Sequence, residues 1–449
     1  MTIATTTEAV RRYARLQVPR YTSYPTAAEF SPNLSEADHR RLLQALAPSE
    51  VISLYVHVPY CRDICFYCGC HSKKAIRDDV VEDYRAALER EIGLVGSTIG
   101  KPISAARLHW GGGTPSVLGA SGLASVIDAL RQCFTFEADF EHAIELDPRL
   151  VTPSLASALA ELRVNRVSLG VQDVNPAVQA AIGRLQPLQV VEAAVERLRA
   201  VGIDDINFDL IYGLPLQTVA SLRKTCATVA ALGPDRIAYY GYAHIPERKA
   251  NQRQIDPSTL PGADERFEQA EVIASEFRAR GYVRIGIDHF ARPDDRLARA
   301  AAAGRLHRNF QGYTDDDRSV LVGFGSSAIS EFPDGYVQNV PDVPRYIKAI
   351  GEGLLATARG CRVDADAHRR ARIIESLLCQ FRADLTQLAP GADFGEEIDM
   401  LAPFVAEGLV SVGDGVVAIS DAGRTVARVI ASVFDVFYRQ RTGRFSVAV

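Results

Sequence analysis

The sequence predicts an α/β protein whose architecture is a partial (β/α)6 barrel of the TIM type, and three observations carry that reading. Short runs of β-branched and aromatic residues recur at 51–58, 106–110, 142–146, 166–171, 206–212 and 236–243, each with the length and composition of a strand. Between them, 78–95, 119–133, 187–201 and 218–232 carry apolar residues at helical spacing. Strand and helix thus alternate, which predicts parallel strands joined by helical crossovers; a doubly wound sheet is the alternative. Finally, 449 residues at 47% hydrophobic composition suffice for one large α/β domain and a smaller unit.

In chain order, residues 1–47 lack the alternating core pattern and read as an arm lying over the main domain. Residues 48–355 form the barrel and its extension, with a long helix at 263–280 and a further strand at 282–288. From 356 to 449 the text turns to arginine-rich helix, 369–379, and a hairpin-like piece, 408–418, which together read as a mainly helical C-terminal domain. With 50 Lys+Arg against 55 Asp+Glu the net charge is −5, so no overall basic field favours nucleic acid. No apolar stretch approaches the roughly 18–20 residues of a membrane helix. The first residues, MTIATTTE, lack the basic flank and apolar core of a secretory signal, so the expected location is cytoplasmic.

The chemistry gathers after the first strand. Cys61, Cys65, Cys68 and Cys70 fall within ten residues of one another, and the first three have the spacing C-x3-C-x2-C. That spacing can place three thiolates on one face of a 4Fe-4S cluster and leave the fourth iron without a protein ligand. A structural zinc cage is the alternative, although its cysteines usually come from two separated knuckles that the metal staples together. Cys133, Cys226, Cys361 and Cys379 are scattered singly and read as small core residues.

Further candidates fall at the C-terminal ends of later strands, where barrels concentrate their chemistry. After the second strand comes Trp110-Gly-Gly-Gly-Thr-Pro115, whose glycines allow backbone to approach a ligand closely. Glu145 stands in an otherwise apolar strand and expects a partner, either a ligand or an arginine. Gln172 ends the fourth strand, Asp209 lies in the fifth, and Arg184 follows with a fork suited to a carboxylate. The segment Leu306-His-Arg-Asn-Phe-Gln-Gly-Tyr-Thr314 and the early Arg20-Tyr-Thr-Ser-Tyr-Pro-Thr26 are dense mixtures of aromatic and polar groups with little periodicity. Both read as site text.

Taken together, these motifs closely resemble the oxygen-independent coproporphyrinogen III oxidases, members of the radical S-adenosylmethionine (SAM) enzymes. The resemblance runs nearly end to end through 20–26, 61–70, 109–115, 145–148, 170–173, 209–215, 288–293 and 307–313. It implies a barrel of the radical SAM type in which Cys61, Cys65 and Cys68 ligate a 4Fe-4S cluster, SAM fills the fourth iron, and Cys70 is not a ligand. It further implies that Tyr55, Tyr67, Gly112, Gly113, Thr114, Glu145, Gln172, Arg184, Asp209, Ala243 and Ile329 hold two molecules of SAM. Tyr55, His57 and Glu145 are expected nearest the reaction.

The implied reaction is the anaerobic oxidative decarboxylation of two propionates of coproporphyrinogen III to vinyl groups, giving protoporphyrinogen IX. A low-potential donor such as flavodoxin or ferredoxin and a monomeric state go with it. A substrate with four propionates further suggests that Arg20, Arg292 or Arg308 pairs with its carboxylates. A haem-binding chaperone on the same scaffold, or another porphyrin-modifying radical SAM protein, is the rival function.

Overall fold

The computed structural model describes residues 3–439. Six strands alternate with helices as the pattern predicts: β1 (Val51–Val58), β2 (Ile103–Gly112), β3 (Phe134–Leu146), β4 (Arg166–Gln172), β5 (Asp205–Tyr212) and β6 (Arg236–Gly241). Each pairs in parallel with the next. The sheet continues through the antiparallel pair β7 (Val283–Ile285) and β8 (His289–Ala291) beyond β6. On its other side it continues through β9 (Leu321–Phe324), parallel to β1, and then β10 (Ile329–Phe332), β11 (Gly335–Asn339) and β12 (Thr357–Arg362). The order is β12-β11-β10-β9-β1-β2-β3-β4-β5-β6-β8-β7. It has two edges, so the barrel is partial.

β5 shows why the interior is polar. Ile206, Phe208 and Leu210 alternate with Asp205, Asn207 and Asp209, and the period of two sends the first set outward against helices and the second set inward. The outward set is fully buried, each side chain contributing about 1.5–3 kcal/mol of transfer free energy.

The arm is not structureless. It carries α1 (Ile3–Ala14) and α2 (Glu36–Ala45), the latter started by a capping box between Ser35 and Asp38. The crossover helices are α3 (Asp78–Ile99), α4 (Gly119–Cys133), α5 (Pro153–Glu161), α6 (Leu188–Ala200) and α7 (Val219–Ala231), followed after β6 by α8 (Ala263–Ala279). The C-terminal part contains α9 (Ala365–Cys379), α10 (Gly395–Ala406) and α11 (Ala427–Ala431), with a three-stranded antiparallel sheet formed by Arg382–Asp384, Val416–Ile419 and Val410–Gly413.

Three expectations shift. The boundary placed between 355 and 356 falls before β12, which still pairs with β11 in the main sheet. The single strand expected at 282–288 is the β7–β8 hairpin, turned at Gly286, whose φ is +54°. The third strand begins at Phe134, eight residues before the apolar run that signalled it. No helix among the described residues is long and apolar enough to cross a membrane.

Candidate active site

The cysteines sit on a loop that is pinned from both sides. Its base is a short parallel bridge between Tyr60–Cys61 and Lys73–Lys74, closed by Lys73 N to Pro59 O at 2.7 Å and Ala75 N to Cys61 O at 2.8 Å. Its crest is held by the segment after β6. The Asn251 carboxamide donates to the carbonyls of Cys65, Phe66 and Cys68 at 3.1, 3.1 and 2.9 Å, Gln252 Nε2 to Tyr67 O at 2.8 Å, and Lys249 Nζ to Cys70 O at 2.8 Å. Sequence reasoning did not single out Asn251 or Gln252. An amide pair in a loop carries no signal until the fold shows which carbonyls it faces.

Cys61, Cys65 and Cys68 line one cavity. Thr114 Oγ1 donates to Cys61 Sγ at 3.4 Å, Arg184 Nη1 to Cys65 Sγ at 3.4 Å, and Ser72 Oγ lies 3.7 Å from Cys68 Sγ. Burial pushes the Cys61 thiol up to about 11, whereas hydrogen bonding with Cys70 and Ser72 holds Cys68 down to about 6. Among the described residues no three His, Cys, Asp or Glu side chains are gathered as a cage for a single ion. Three thiols opening separately into a shared space, each met by a donor, suit the corners of a cluster, whose sulfurs are tuned by such hydrogen bonds. The donor set therefore fits a 4Fe-4S group.

The glycine loop is shaped more by protein than by open space. A Cβ at Gly112 would stand 2.5 Å from His57 Cε1, and one at Gly113 would stand 2.5 Å from Tyr60 O. The loop is thereby pressed onto the cysteine segment, with Gly113 N bonded to Val58 O and Thr114 N to Tyr60 O. Glu145 finds its partners here: His109 Nε2 lies 3.1 Å from Oε1, and Gly112 N donates to Oε2 at 3.3 Å. Neither is the arginine that buried-pair reasoning suggests.

Deeper in, Asp209 accepts from Ser168 Oγ at 2.7 Å and Asn207 Nδ2 at 2.8 Å, and burial pushes its carboxyl up to about 6. Gln172 has φ +67°, and a register shift beside it breaks the β4–β5 ladder. A bulge at this point re-aims the side chain into the cavity. Arg184 is largely committed, to Asp147 at 3.2 Å, Gly170 O at 2.8 Å and Cys65 Sγ, but its buried Nε has no partner.

The cavity measures about 1210 Å³ and receives Tyr67, Gly112, Gly113, Thr114, Glu145, Gln172, Arg184, Asp209 and Ala243 along with the three cysteines. Three expected residues lie outside its lining. Ile329 is on β10, paired with Gln338. Half-buried Tyr55 and buried His57 pair behind the glycine loop, with Tyr55 Oη 3.1 Å from His57 Nδ1 and His57 Nε2 3.1 Å from His71 O. Burial holds the His57 imidazole down to about 4, so it is neutral and supports the loop. The arm's Arg20 and the 307–313 segment's Arg308, Phe310 and Gln311 reach the cavity, as their site-like composition suggests. Arg292 does not; it is 51% exposed in its side chain and faces Asp235.

Comparison with known proteins bears on this geometry. A family model, the Radical SAM superfamily, matches residues 55–229. The chain is 44% identical over 428 residues to an oxygen-independent coproporphyrinogen III oxidase of Bradyrhizobium diazoefficiens, covering 94% of this chain and 95% of that protein. It is 39% identical over 435 residues to the enzyme of the same name from Escherichia coli K12, covering 94% and 93%. The solved structure of the Escherichia coli coproporphyrinogen III oxidase superposes with a TM-score of 0.89 at 37% identity, covering 94% of this chain and all of that one.

Proposed function

This chain belongs to the oxygen-independent coproporphyrinogen III oxidases of the radical SAM superfamily, and from that premise we propose how its residues serve the reaction. The protein catalyses the anaerobic oxidative decarboxylation of two propionates of coproporphyrinogen III to vinyl groups, yielding protoporphyrinogen IX for haem. In our reading Cys61, Cys65 and Cys68 hold the cluster, and Thr114, Arg184 and Ser72 stabilise their thiolates. When bound, the 4Fe-4S cluster and SAM supply a 5′-deoxyadenosyl radical able to take hydrogen from a propionate β-carbon.

The chain's own part is to bind, orient and exclude water. The Gly112 and Gly113 backbone, Glu145 and the free Nε of Arg184 suit the amino and carboxylate groups of SAM. Asp209, held by Ser168 and Asn207, suits a hydroxyl or amine donor, and Gln172 and Ala243 border the same wall. Tyr55 and His57 position the glycine loop from behind, and Ile329 acts through β10. Two molecules of SAM, one electron at a time from a donor such as flavodoxin or ferredoxin, and a cytoplasmic monomer complete the proposal.

The observation that supports this most directly is the single cavity of about 1210 Å³ shared by the cysteine loop and the 307–313 segment. It exceeds the roughly 300–1,000 Å³ of ordinary ligand pockets, as a macrocycle beside a cofactor requires. Anaerobic reconstitution with iron and sulfide, followed by product analysis with coproporphyrinogen III, SAM and a reductant, tests it. Protoporphyrinogen IX with 5′-deoxyadenosine is the expected outcome; a colourless protein free of acid-labile sulfide overturns it.

A further inference from the structure

The cavity is lined by the carboxylates of Asp63, Glu145, Asp147, Asp209, Glu247 and Asp288. Most are committed within the protein or open to water. Exposed Asp63 pairs with Lys74 at 2.8 Å, and Asp147 is taken by Arg149 at 2.6 Å and Arg184 at 3.2 Å. Glu145 and Asp209 each have a partner on both oxygens, and Glu247 stands in an exposed turn. Asp288 differs from all of these. Its Oδ1 lies 2.7 Å from His289 Nδ1, and among the described residues no group hydrogen-bonds its Oδ2. The residue is deep in the protein, yet its side chain keeps 22% of its surface accessible where it lines the cavity.

The position of Asp288 is fixed by the sheet. It precedes β8 in the hairpin turned at Gly286, and its carbonyl accepts from Tyr239 N of β6 at 2.8 Å. His289 is fixed as well: its Nε2 lies 3.4 Å from Tyr240 Oη, and its ring stands edge-on to Tyr240 and Tyr313, with centroids 5.5 and 5.1 Å away. A Cβ at Gly312 would lie 3.4 Å from the same Nε2, so the 307–313 segment closes against this histidine. Burial alone would raise the Asp288 carboxyl, but His289, then Arg308, hold it well below the usual carboxylate range. An enclosed anion with one oxygen unmatched costs free energy until a donor meets it. The substrate has the converse need. A porphyrinogen carries four pyrrole N–H donors at its centre, which lose their water on entering the cavity, while its propionates radiate from the rim.

We propose that Asp288 accepts pyrrole N–H groups at the centre of the macrocycle, through the oxygen that His289 leaves free, and so selects the reduced, porphyrinogen level of the ring. This rests on the porphyrinogen reading above and adds the group that recognises the ring itself. A porphyrinogen offers four such donors, the oxidised porphyrin two and its metal complexes none. A carboxylate at the ring centre also stands as far as the molecule allows from the peripheral carboxylates that it would repel. The contact is unchanged when one propionate has become vinyl, so it serves both rounds of the reaction.

The test titrates cluster-loaded protein, anaerobically and without reductant so that no turnover occurs, with two ligands: coproporphyrinogen III, and the nickel(II) complex of coproporphyrin III, which keeps the propionates but has no N–H. Turnover of coproporphyrinogen III is measured in parallel. The wild type is expected to bind the porphyrinogen at least about 30-fold more tightly, as hydrogen bonds to an ionised acceptor imply. Asp288→Asn should shrink that ratio about tenfold, without weakening the nickel complex, and should raise KM more than it lowers kcat, with iron content unchanged. In the wild type the N–H protons of 15N-labelled coproporphyrinogen III should move downfield on binding, the mark of donation to a carboxylate. Unshifted N–H resonances in the bound wild type, or equal affinity for the two ligands, overturn the contact even where the variant does not fold. An undiminished ratio in a folded Asp288→Asn variant overturns it as well. A wild type that binds coproporphyrinogen III but fails to turn it over with SAM and reductant instead overturns the reaction itself, so the two failures are distinct.

Discussion

A single carboxamide, that of Asn251, bonds three carbonyls of the cysteine loop and fixes the spacing of Cys65 and Cys68 without touching a sulfur. Groups that orient metal ligands in this way typically matter 10–100-fold in affinity or activity. Asn251→Ala is therefore expected to fold but to take up iron about 10-fold less tightly on anaerobic reconstitution, whereas Cys65→Ser takes up no intact cluster. Wild-type iron and sulfide in the alanine variant, measured under limiting iron, defeats this role.

Asp209 makes a prediction with two opposite signs. Its carboxyl is raised to about 6 by burial, with Glu145 adding repulsion. Ionisation therefore costs the folded state increasingly as pH climbs from the unfolded value through about 6. By unfolding of the apoprotein, Asp209→Asn should be more stable at neutral pH by about 3 kcal/mol, the equivalent of a two-unit shift, and the advantage should vanish near pH 4. SAM binding should run the other way: in the wild type it weakens as pH falls through about 6, and in the variant that limb is absent. A SAM titration unchanged in both respects rules out the carboxylate as an acceptor.

At the scale of elements, the inward faces of the strands form layers, and the lowest is a ring of ion pairs. Arg107 on β2 meets Glu141 on β3 at 3.2 Å, Glu141 meets Arg166 on β4 at 3.0 Å, and Arg236 on β6 meets Asp205 on β5 at 3.3 Å. Asp295, Arg296 and Asp315 close it from below. Glu141 is 7% exposed and shared by three arginines. Replacing it by Gln takes the ion-pair carboxylate from Arg166, while Arg107 and Arg296 keep Asp315, and should cost about 3 kcal/mol in urea unfolding. Burial alone would raise the Glu141 carboxyl, but Arg166 and Arg107 hold it low; its contribution is present above the unfolded carboxylate value and lost as pH falls through the folded one. A loss under about 1 kcal/mol would mark the ring as incidental.

The sequence made the outward faces legible because Ile206, Phe208 and Leu210 alternate cleanly with polar residues. The first half of β3, Phe134–Phe140, was hidden because its half-buried Glu137 and exposed Asp139 interrupt the apolar text. The cysteine motif, Glu145 and Asp209 announced themselves by type and position. Tyr55 and His57 carry no site signal of their own and enter only through the family resemblance; the structure sets them against the glycine loop, outside the cavity lining. Arg20 lies in a segment whose composition marks it, but Arg266 and Arg428 carry no local signal; only the docking of distant segments brings them to the same cavity.

At the scale of the whole molecule, the net charge of −5 conceals a segregated field: acidic text overall, with a cationic chamber inside. Such a chamber draws a polyanionic macrocycle inward and raises its local concentration, an effect that salt weakens. What shuts the chamber is the arm, which is strapped to both of its neighbours. Tyr21 Oη donates to Asp435 Oδ2 at 3.0 Å, Tyr24 Oη accepts from Val436 N at 3.3 Å, Tyr438 Oη donates to Gln17 O at 2.9 Å, and Arg15 pairs with Asp264 on α8 at 2.8 Å. Of these, the Tyr21–Asp435 bond is the buried one, and a hydrogen bond to a charged group is worth about 1.5–3 kcal/mol. Tyr21→Phe removes that donor and keeps the ring, so the arm should open more often while the cysteine loop, held by Lys249, Asn251 and Gln252, stays intact. The expected signature is faster proteolytic cleavage within residues 1–34 and a raised KM for coproporphyrinogen III, at unchanged iron content. Wild-type protease resistance together with a wild-type KM would show that the arm is held by its other contacts and that this tyrosine does not latch it.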